Sequence, residues 1–357
     1  MRMTIKMAAF LFTAAAIALP AVADSESEVC LYNWSGYIDP AVIEKFHAAT
    51  GKKLILDFYE EADEAEARLT AQGTGYDLAV VPSEIVNRLI EAEALQKFDL
   101  DTAGTDRQLL DILFTALPQA EGYALPYLWG TTGLVYDLDA VIDRLPDAPL
   151  DSWALLFDPA NAKELADCGI TVVDSVEEMV PAALSYLGLD PHSRSPEDLD
   201  AAFDVLAAIA PYVRSFDTAQ YDDVLGGNIC LAATWSTDGQ AAFLEKDSTP
   251  YRYIVPKEGA NLWADLFVVP NDAGNMVVSM QLLDFILQPE MIASSAAYSN
   301  AFASLPSSRS ELDEPDFNLW PPGLSQSIRE TLYFVKPRNG NEKRLLDRRW
   351  RMIQIGL

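Results

Sequence analysis

Residues 29–58 read VCLYNWSGYIDPAVIEKFHAATGKKLILDF. Val29–Tyr32 is a short apolar run of strand type, Pro40–Thr50 has helical spacing, and Lys53–Phe58 returns to a strand pattern. The next segment repeats the theme. Ala62–Gln72 is helical, Gly75-Tyr76-Asp77 turns the chain, Leu78–Pro82 is a third strand and Ile85–Ala94 is helical again. Strand–helix–strand repetition predicts an α/β domain with a largely parallel sheet. Such sheets bind ligands beyond the carboxyl ends of their strands, where helices begin. Two loops occupy such ends: Trp34-Ser35-Gly36-Tyr37 and Pro82-Ser83-Glu84. The first is bulky and partly polar, which suits a ligand wall better than a simple turn.

Outward from this unit, Ala124–Tyr136 (ALPYLWGTTGLVY) gives two β-like runs around a glycine-bearing centre and predicts a crossing to a second lobe. The alternation then resumes, with strand-like runs at Gly169–Val173, Ile229–Thr234 and Arg252–Val255. Helical runs lie between them at Glu177–Leu187, Leu199–Ile209 and Gly239–Glu245. A return crossing is expected at Pro256–Asn261, followed by a strand, Leu262–Val269, that rejoins the first lobe. The expected division is 24–131 with 261–310 in one lobe, and 132–260 with 311–357 in the other. Two lobes joined by more than one crossing imply a hinge and a cleft. The tail NEKRLLDRRWRM is a basic helix expected to pack through Leu345, Leu346 and Trp350.

The chain of 357 residues is half apolar, enough for two cores. Its N-terminus carries Arg2 and Lys6, an apolar run from Met7 to Leu19, and Ala21-Val22-Ala23. That pattern predicts a signal peptide over 1–23, removed on export. No later run is long and apolar enough to cross a membrane, so no membrane insertion is expected after cleavage. The formal net charge is −29, and the signal takes away two basic residues and no acid. Nucleic acid and anionic membranes are therefore poor partners, whereas a cationic ligand is attracted. Of the three cysteines, Cys30 sits in an apolar strand pattern as a small hydrophobe. In an oxidising compartment this leaves Cys168 and Cys230 to pair.

Aromatics stand near predicted strand or loop ends at Trp34, Tyr37, Trp235, Trp263 and Tyr298. Each alone reads first as core. Carboxylates lie beside several of them. Trp235 precedes Asp238 in TWSTD, and Trp263 precedes Asp265 by two, which puts both on one face of a strand. Glu177 and Glu178 open a helix. Together these groups suit an alkyl ammonium. Carboxylates accept charge-assisted hydrogen bonds worth roughly 1.5–3 kcal/mol each. Aromatic faces cover methylenes at about 0.8 kcal/mol per CH₂ and attract the cation by about 0.5–2 kcal/mol. No nucleophile elbow, phosphate-cradling glycine loop or metal motif is present, and His47 and His192 are the only histidines. An enzyme, a metal site or a cofactor is not expected.

YNWSGYIDPAVIEKFHAATGKKL resembles the opening of the periplasmic polyamine-binding proteins, the putrescine and spermidine receptors of ABC importers. GYDLAVVPS, ALPYLWGTTGLVY, CGITVVDSVEEM, QYDDVLGGNICLAATWSTD and PKEGANLWADLF follow in family order over nearly the whole mature chain. The resemblance implies a two-lobed type II solute-binding fold closing on a polyamine, in a periplasmic, monomeric receptor with permease partners. It places Trp34, Ser35, Tyr37 and Ser83 on the first wall, and Glu178, Trp235 and Asp238 on the second. Trp263, Asp265 and Tyr298 complete the box, and Cys168 and Cys230 match disulfide positions of putrescine-type members.

Departures bear on the ligand. Gly36 stands where relatives have Asp or Glu, with Glu84 as a candidate substitute charge. Trp263 is of the spermidine type and Asp238 of the putrescine type, while Ser175 supplies no extra acid. The alternatives to a polyamine receptor are a receptor for another small amine or an amino-acid derivative, and a sensor subunit without a transport role.

Overall fold

In the computed structural model, which describes residues 28–356 except 72, 99–104, 219, 221, 222, 224, 225, 246–250, 312–325, 337 and 339, the opening unit is β1 (Glu28–Trp34), α1 (Pro40–Thr50) and β2 (Lys53–Tyr59). The signal expected over 1–23 lies outside the described residues. Asp39 starts α1 by accepting a hydrogen bond from the Ala41 N–H at 2.8 Å, with Pro40 preset for the first turn. Gly51, at φ 71°, ends it in the left-handed conformation that glycine adopts most cheaply. The chain can then reverse, and β2 pairs parallel to β1 from Glu28↔Lys53 to Trp34↔Tyr59.

α2 (Ala62–Thr70), β3 (Leu78–Pro82) and α3 (Ser83–Glu91) complete the unit, with β3 parallel to β1. The alternation of β1 sorts its side chains into two cores. Val29 and Leu31 join Phe46 and Phe267 on one face, whereas Tyr32 joins Leu69, Val81 and Leu266 on the other. Helices therefore cover both faces, as a sheet buried on each side requires.

The predicted crossing at Ala124–Tyr136 is one unbroken strand, β4 (Ala124–Asp137), not two runs. Its glycines do not turn the chain; they permit close approach. A Cβ on Gly130 would overlap the Trp263 ring, and one on Gly133 would overlap the Ile254 carbonyl. In the second lobe follow β5 (Ile170–Val172), α4 (Val176–Tyr186), α5 (Pro196–Ile209) and β6 (Ser215–Phe216). Then come β7 (Leu231–Trp235), α6 (Ser236–Glu245) and β8 (Tyr251–Ile254). β9 (Leu262–Pro270) returns, and α7 (Met276–Ile286), α8 (Pro289–Ser299) and α9 (Gly340–Gln354) follow.

The strand order is β2-β1-β3-β9-β4-β7-β5-β6. The flanks are parallel and the centre is antiparallel, because β4 and β9 run opposite ways through it. β4 pairs with β9 over 124–131 and with β7 and β8 over 132–137. A third strand of chain joins them: the Leu262 N–H donates to the Tyr333 carbonyl at 2.7 Å, and the Tyr333 N–H to the Ala260 carbonyl at 3.2 Å. Phe334 enters a first-lobe core, while α9 packs in the second.

Cys168 and Cys230 are joined, a separation of 62 residues, and Cys30 stays a thiol. The bridge spans the starts of neighbouring strands β5 and β7 and contributes about 4 kcal/mol in the chain-entropy model. α9 corrects one sequence expectation. Leu346 and Trp350 are buried, but the third buried residue is Ile353; Leu345 is 56% exposed. Among the described residues no single helix is long and apolar enough to cross a membrane, and no cluster of metal-ligating side chains occurs.

Candidate ligand site between the lobes

Asp265 lies on β9 opposite Pro82 of β3 and Leu128 of β4, where the strand approaches the crossing. It is 5% exposed, and each carboxylate oxygen has its own donor. The Trp34 indole N–H donates to Oδ1 at 2.9 Å, and the Tyr37 hydroxyl donates to Oδ2 at 2.8 Å. Both donors come from the end of β1 and the loop after it. Gly36, at φ 69°, makes the turn that brings Tyr37 back, and a side chain there would meet nothing within 4 Å. Burial pushes the Asp265 carboxyl up to about 6, and the two hydrogen bonds only partly oppose it. Burial, then the charge of Asp265, holds the Tyr37 phenol well above its ordinary value, so it remains a donor.

Tyr59, at the end of β2, supports this wall. Its ring centroid is 4.3 Å from that of Trp34, and its hydroxyl is occupied by the Val80 carbonyl at 2.8 Å. It was not among the sequence candidates. The signal was an aromatic closing the strand beside Trp34, visible only once the register is known.

On the facing lobe, Trp235 ends β7 and Asp238 lies in the first turn of α6. The Thr234 hydroxyl donates to Asp238 Oδ2 at 2.8 Å, leaving Oδ1 uncommitted among the described residues. Burial pushes this carboxyl also up to about 6, against the Thr234 bond. Two acids that cost this much to ionise gain most from a cation.

Glu178 behaves differently. It is 9% exposed and accepts from three side chains: the Thr132 hydroxyl at 2.7 Å, the Asn261 amide at 3.0 Å to each oxygen, and the Trp235 indole at 3.3 Å. Thr132 belongs to β4 and Asn261 immediately precedes β9. Asn261 in turn accepts the Val335 N–H through its side-chain oxygen at 3.2 Å. Glu178 thus holds β4 and the residue before β9 directly, and the segment at Val335 through Asn261. Its carboxyl is raised by burial, with the hydrogen bonds opposing. Ser175 caps α4 by accepting the Glu178 N–H at 3.3 Å, so that hydroxyl is already employed. Thr132 and Asn261 were also missed in the sequence, where nothing marks a lone Thr or Asn as a hinge partner.

Trp263 shares the Asp265 face, as strand spacing requires. Its ring lies over Gly130 and beside Ser236 of the other lobe, and its buried indole N–H has no partner among the described residues. Glu84, in the first turn of α3, is exposed. Its carboxyl is pushed up to about 7 by desolvation, then by Glu177 and Glu178 across the cleft. Ser35 is exposed, Ser83 is half-buried at the start of α3, and Tyr298 is 51% exposed on α8. Among the described residues no hydrogen bond connects these three to the rest.

The sequence model of the bacterial extracellular solute-binding proteins matches residues 41–321. This chain belongs to that family. Relatives with reviewed descriptions include a putrescine/agmatine-binding protein of Pseudomonas aeruginosa PAO1, 38% identical over 77% of each chain. A putrescine-binding periplasmic protein of Escherichia coli K12, PotF, is 32% identical over 96% of this chain and 95% of its own. Among solved structures, the spermidine/putrescine ABC transporter substrate-binding protein PotD of Streptococcus pneumoniae superposes with a TM-score of 0.79 at 21% identity. It covers 92% of this chain and 99% of that one. At such identity the likeness is one of fold, and it is the two-lobed fold of solute-binding proteins.

Proposed function

We propose that this solute-binding protein captures a polyamine of the putrescine or spermidine class between its lobes and hands it to the membrane subunits of an ABC importer. The observation that carries the reading is Asp265, a buried carboxylate aimed by the Trp34 indole and the Tyr37 hydroxyl; Asp238, with one donor, is the second acid of the proposed site. Asp265 takes one ammonium group and Asp238 the other. Trp34, Tyr37, Trp235 and Trp263 cover the methylenes, with Tyr298 at the rim. Ser35 and Ser83 line the first wall, and Glu178 holds the second wall in place. Both acids are raised by desolvation, so a dication recovers in the complex what burial cost in the free protein. The relatives named for putrescine support the same ligand class.

The role is binding without chemistry, and the N-terminal signal directs the monomeric chain to the periplasm. The lobes divide near 131/132 and 260/261, where β4 changes partners, and the third passage follows the same line. Calorimetric titration of the mature protein with putrescine, cadaverine and spermidine tests the reading. Saturable heat with at least one is expected; none from any of them rejects it.

One observation favours a second reading. The buried Trp263 N–H beside Asp265, without a partner among the described residues, suits a ligand that pairs an ammonium with an acceptor, such as an amino-acid derivative, which a diamine lacks. Tighter binding of an ω-amino acid than of putrescine would select it.

A further inference from the structure

α9 carries five basic residues against two acids, in a chain of net charge −29. Its two sides differ sharply. Leu346, Trp350 and Ile353 are buried in the second-lobe core, and the Trp350 indole donates to Asp174 at 2.7 Å. The helix is therefore fixed in rotation. At 100° per residue, Arg344, Leu345, Arg348, Arg351, Met352 and Ile355 fall within about 120° of one another on the opposite side. All six are exposed; Leu345, Met352 and Ile355 are 56%, 42% and 69% accessible. Three of the eight large exposed apolar side chains among the described residues thus sit on one narrow stripe.

Among the described residues the charges of that stripe make no ion pair with another element; within the helix, Asp347 lies three residues from Arg344 and four from Arg351. The inward-leaning Lys343 and Arg349 have acids, Glu177 at 3.1 Å and Asp200 at 2.8 Å. Arg344 reaches only the neutral Asn341. Arg344 and Arg348 are four apart, and Arg348 and Arg351 three apart. Such like-charge neighbours destabilise a helix by about 0.2–0.5 kcal/mol each. Of the stripe's cations, Arg351 lies in the last turn, where the helix dipole favours a positive charge. Meanwhile Lys343, through Glu177, reaches the rim where Glu84 and Asp63 of the first lobe are felt.

We propose that this outward face of α9 docks an acidic, apolar-bearing extracytoplasmic segment of a membrane-embedded partner protein. The inference rests on the reading that the chain delivers its ligand to membrane subunits. Charge complementarity selects the occupant: a short acidic segment meets only the cationic stripe. An anionic bilayer would meet the whole acidic body, which repels it over the ~10 Å screening length of 0.1 M salt. The helix cannot roll its buried apolar side toward lipid either, since that side is part of the lobe core.

The test is saturable binding of the purified, labelled mature chain to spheroplasts of its source bacterium, with and without prior trypsin treatment of the spheroplasts. Wild type is expected to bind in a trypsin-sensitive manner. Arg344→Glu, Arg348→Glu and Arg351→Glu combined should weaken this at least tenfold while circular dichroism, melting temperature and putrescine titration stay unchanged. If that variant misfolds, the triple change Leu345→Ser, Met352→Ser and Ile355→Ser gives the same reading. No wild-type binding, or equal binding by the folded variant, overturns the proposal. Binding that survives trypsin assigns the stripe to lipid, and a concentration-dependent dimer abolished by the variant assigns it to a second copy; either overturns it. Since spheroplast binding does not need the ligand, a protein that docks but takes up no polyamine rejects the functional reading alone.

Discussion

Asp265 and Glu178 are both buried carboxylates near the crossing between the lobes, yet their surroundings differ in one decisive respect. Asp265 has one donor per oxygen, supplied by aromatic side chains of its own lobe, and retains acceptor capacity toward the cleft. Glu178 is saturated by Thr132, Asn261 and Trp235, and two of these belong to the hinge passages. An under-bonded buried acid stores an unmet demand for positive charge; a saturated one has already met it with neutral donors. The first is suited to ligand, the second to holding the frame.

The sharpest way to break this contrast is to remove charge from each acid in turn. Asp265→Asn should weaken putrescine binding about 100-fold by calorimetry, the value of one charge-assisted hydrogen bond near 3 kcal/mol. Asp238→Asn, at a more open site, should cost about tenfold. An unaltered affinity in the first variant removes Asp265 from the site.

Acidification probes both ligand acids at once. With each raised to about 6, lowering pH from 7 to 5 should reduce affinity about tenfold per group, because the ammonium needs the ionised form. Stability of the free protein should move the other way. Folded pKa values above the ordinary 3.8 mean that the native state holds more protons than the unfolded chain between about pH 4 and 6. Their contribution to the free protein's stability is full below that window and is lost as pH rises through about 6. Melting curves and titrations over pH 5–7 check the two opposite slopes.

Glu178→Gln should have the reverse profile to Asp265→Asn. It turns an amide N–H₂ toward donors, costing about 1–3 kcal/mol of stability and lowering the melting temperature by several degrees. Its effect on putrescine affinity should stay under tenfold. A larger loss of binding with an unchanged melting temperature would make Glu178 a direct ligand partner. The smallest effect is expected at Gly36. Asp is among the residues that tolerate its positive φ, and the space is open, so Gly36→Asp should tighten diamine binding a few-fold. A loss would mean that the open space serves a different ligand.

Much of this was legible in the chain itself. Strand–helix alternation, the crossing at 124–136 and the return near 261 follow from local periodicity, which short-range backbone sterics impose. The pairing of Trp263 with Asp265 on one face needs only the two-residue repeat of a strand. The Cys168–Cys230 pair was reached by elimination. The division of labour between the acids was not legible, because it depends on donors brought to them from 46 to 231 residues away. Nor did the sequence show that Gly130 and Gly133 serve close packing along one continuous strand, or that Leu345 faces outward. A basic amphipathic tail specifies that a helix has two faces; only contact with the second-lobe core decides which is buried. Composition and spacing by themselves determined the two-lobed α/β frame and the acid–aromatic chemistry. Tertiary structure alone decided which acid stays unsatisfied, because hydrogen-bond saturation is a property of neighbours in space.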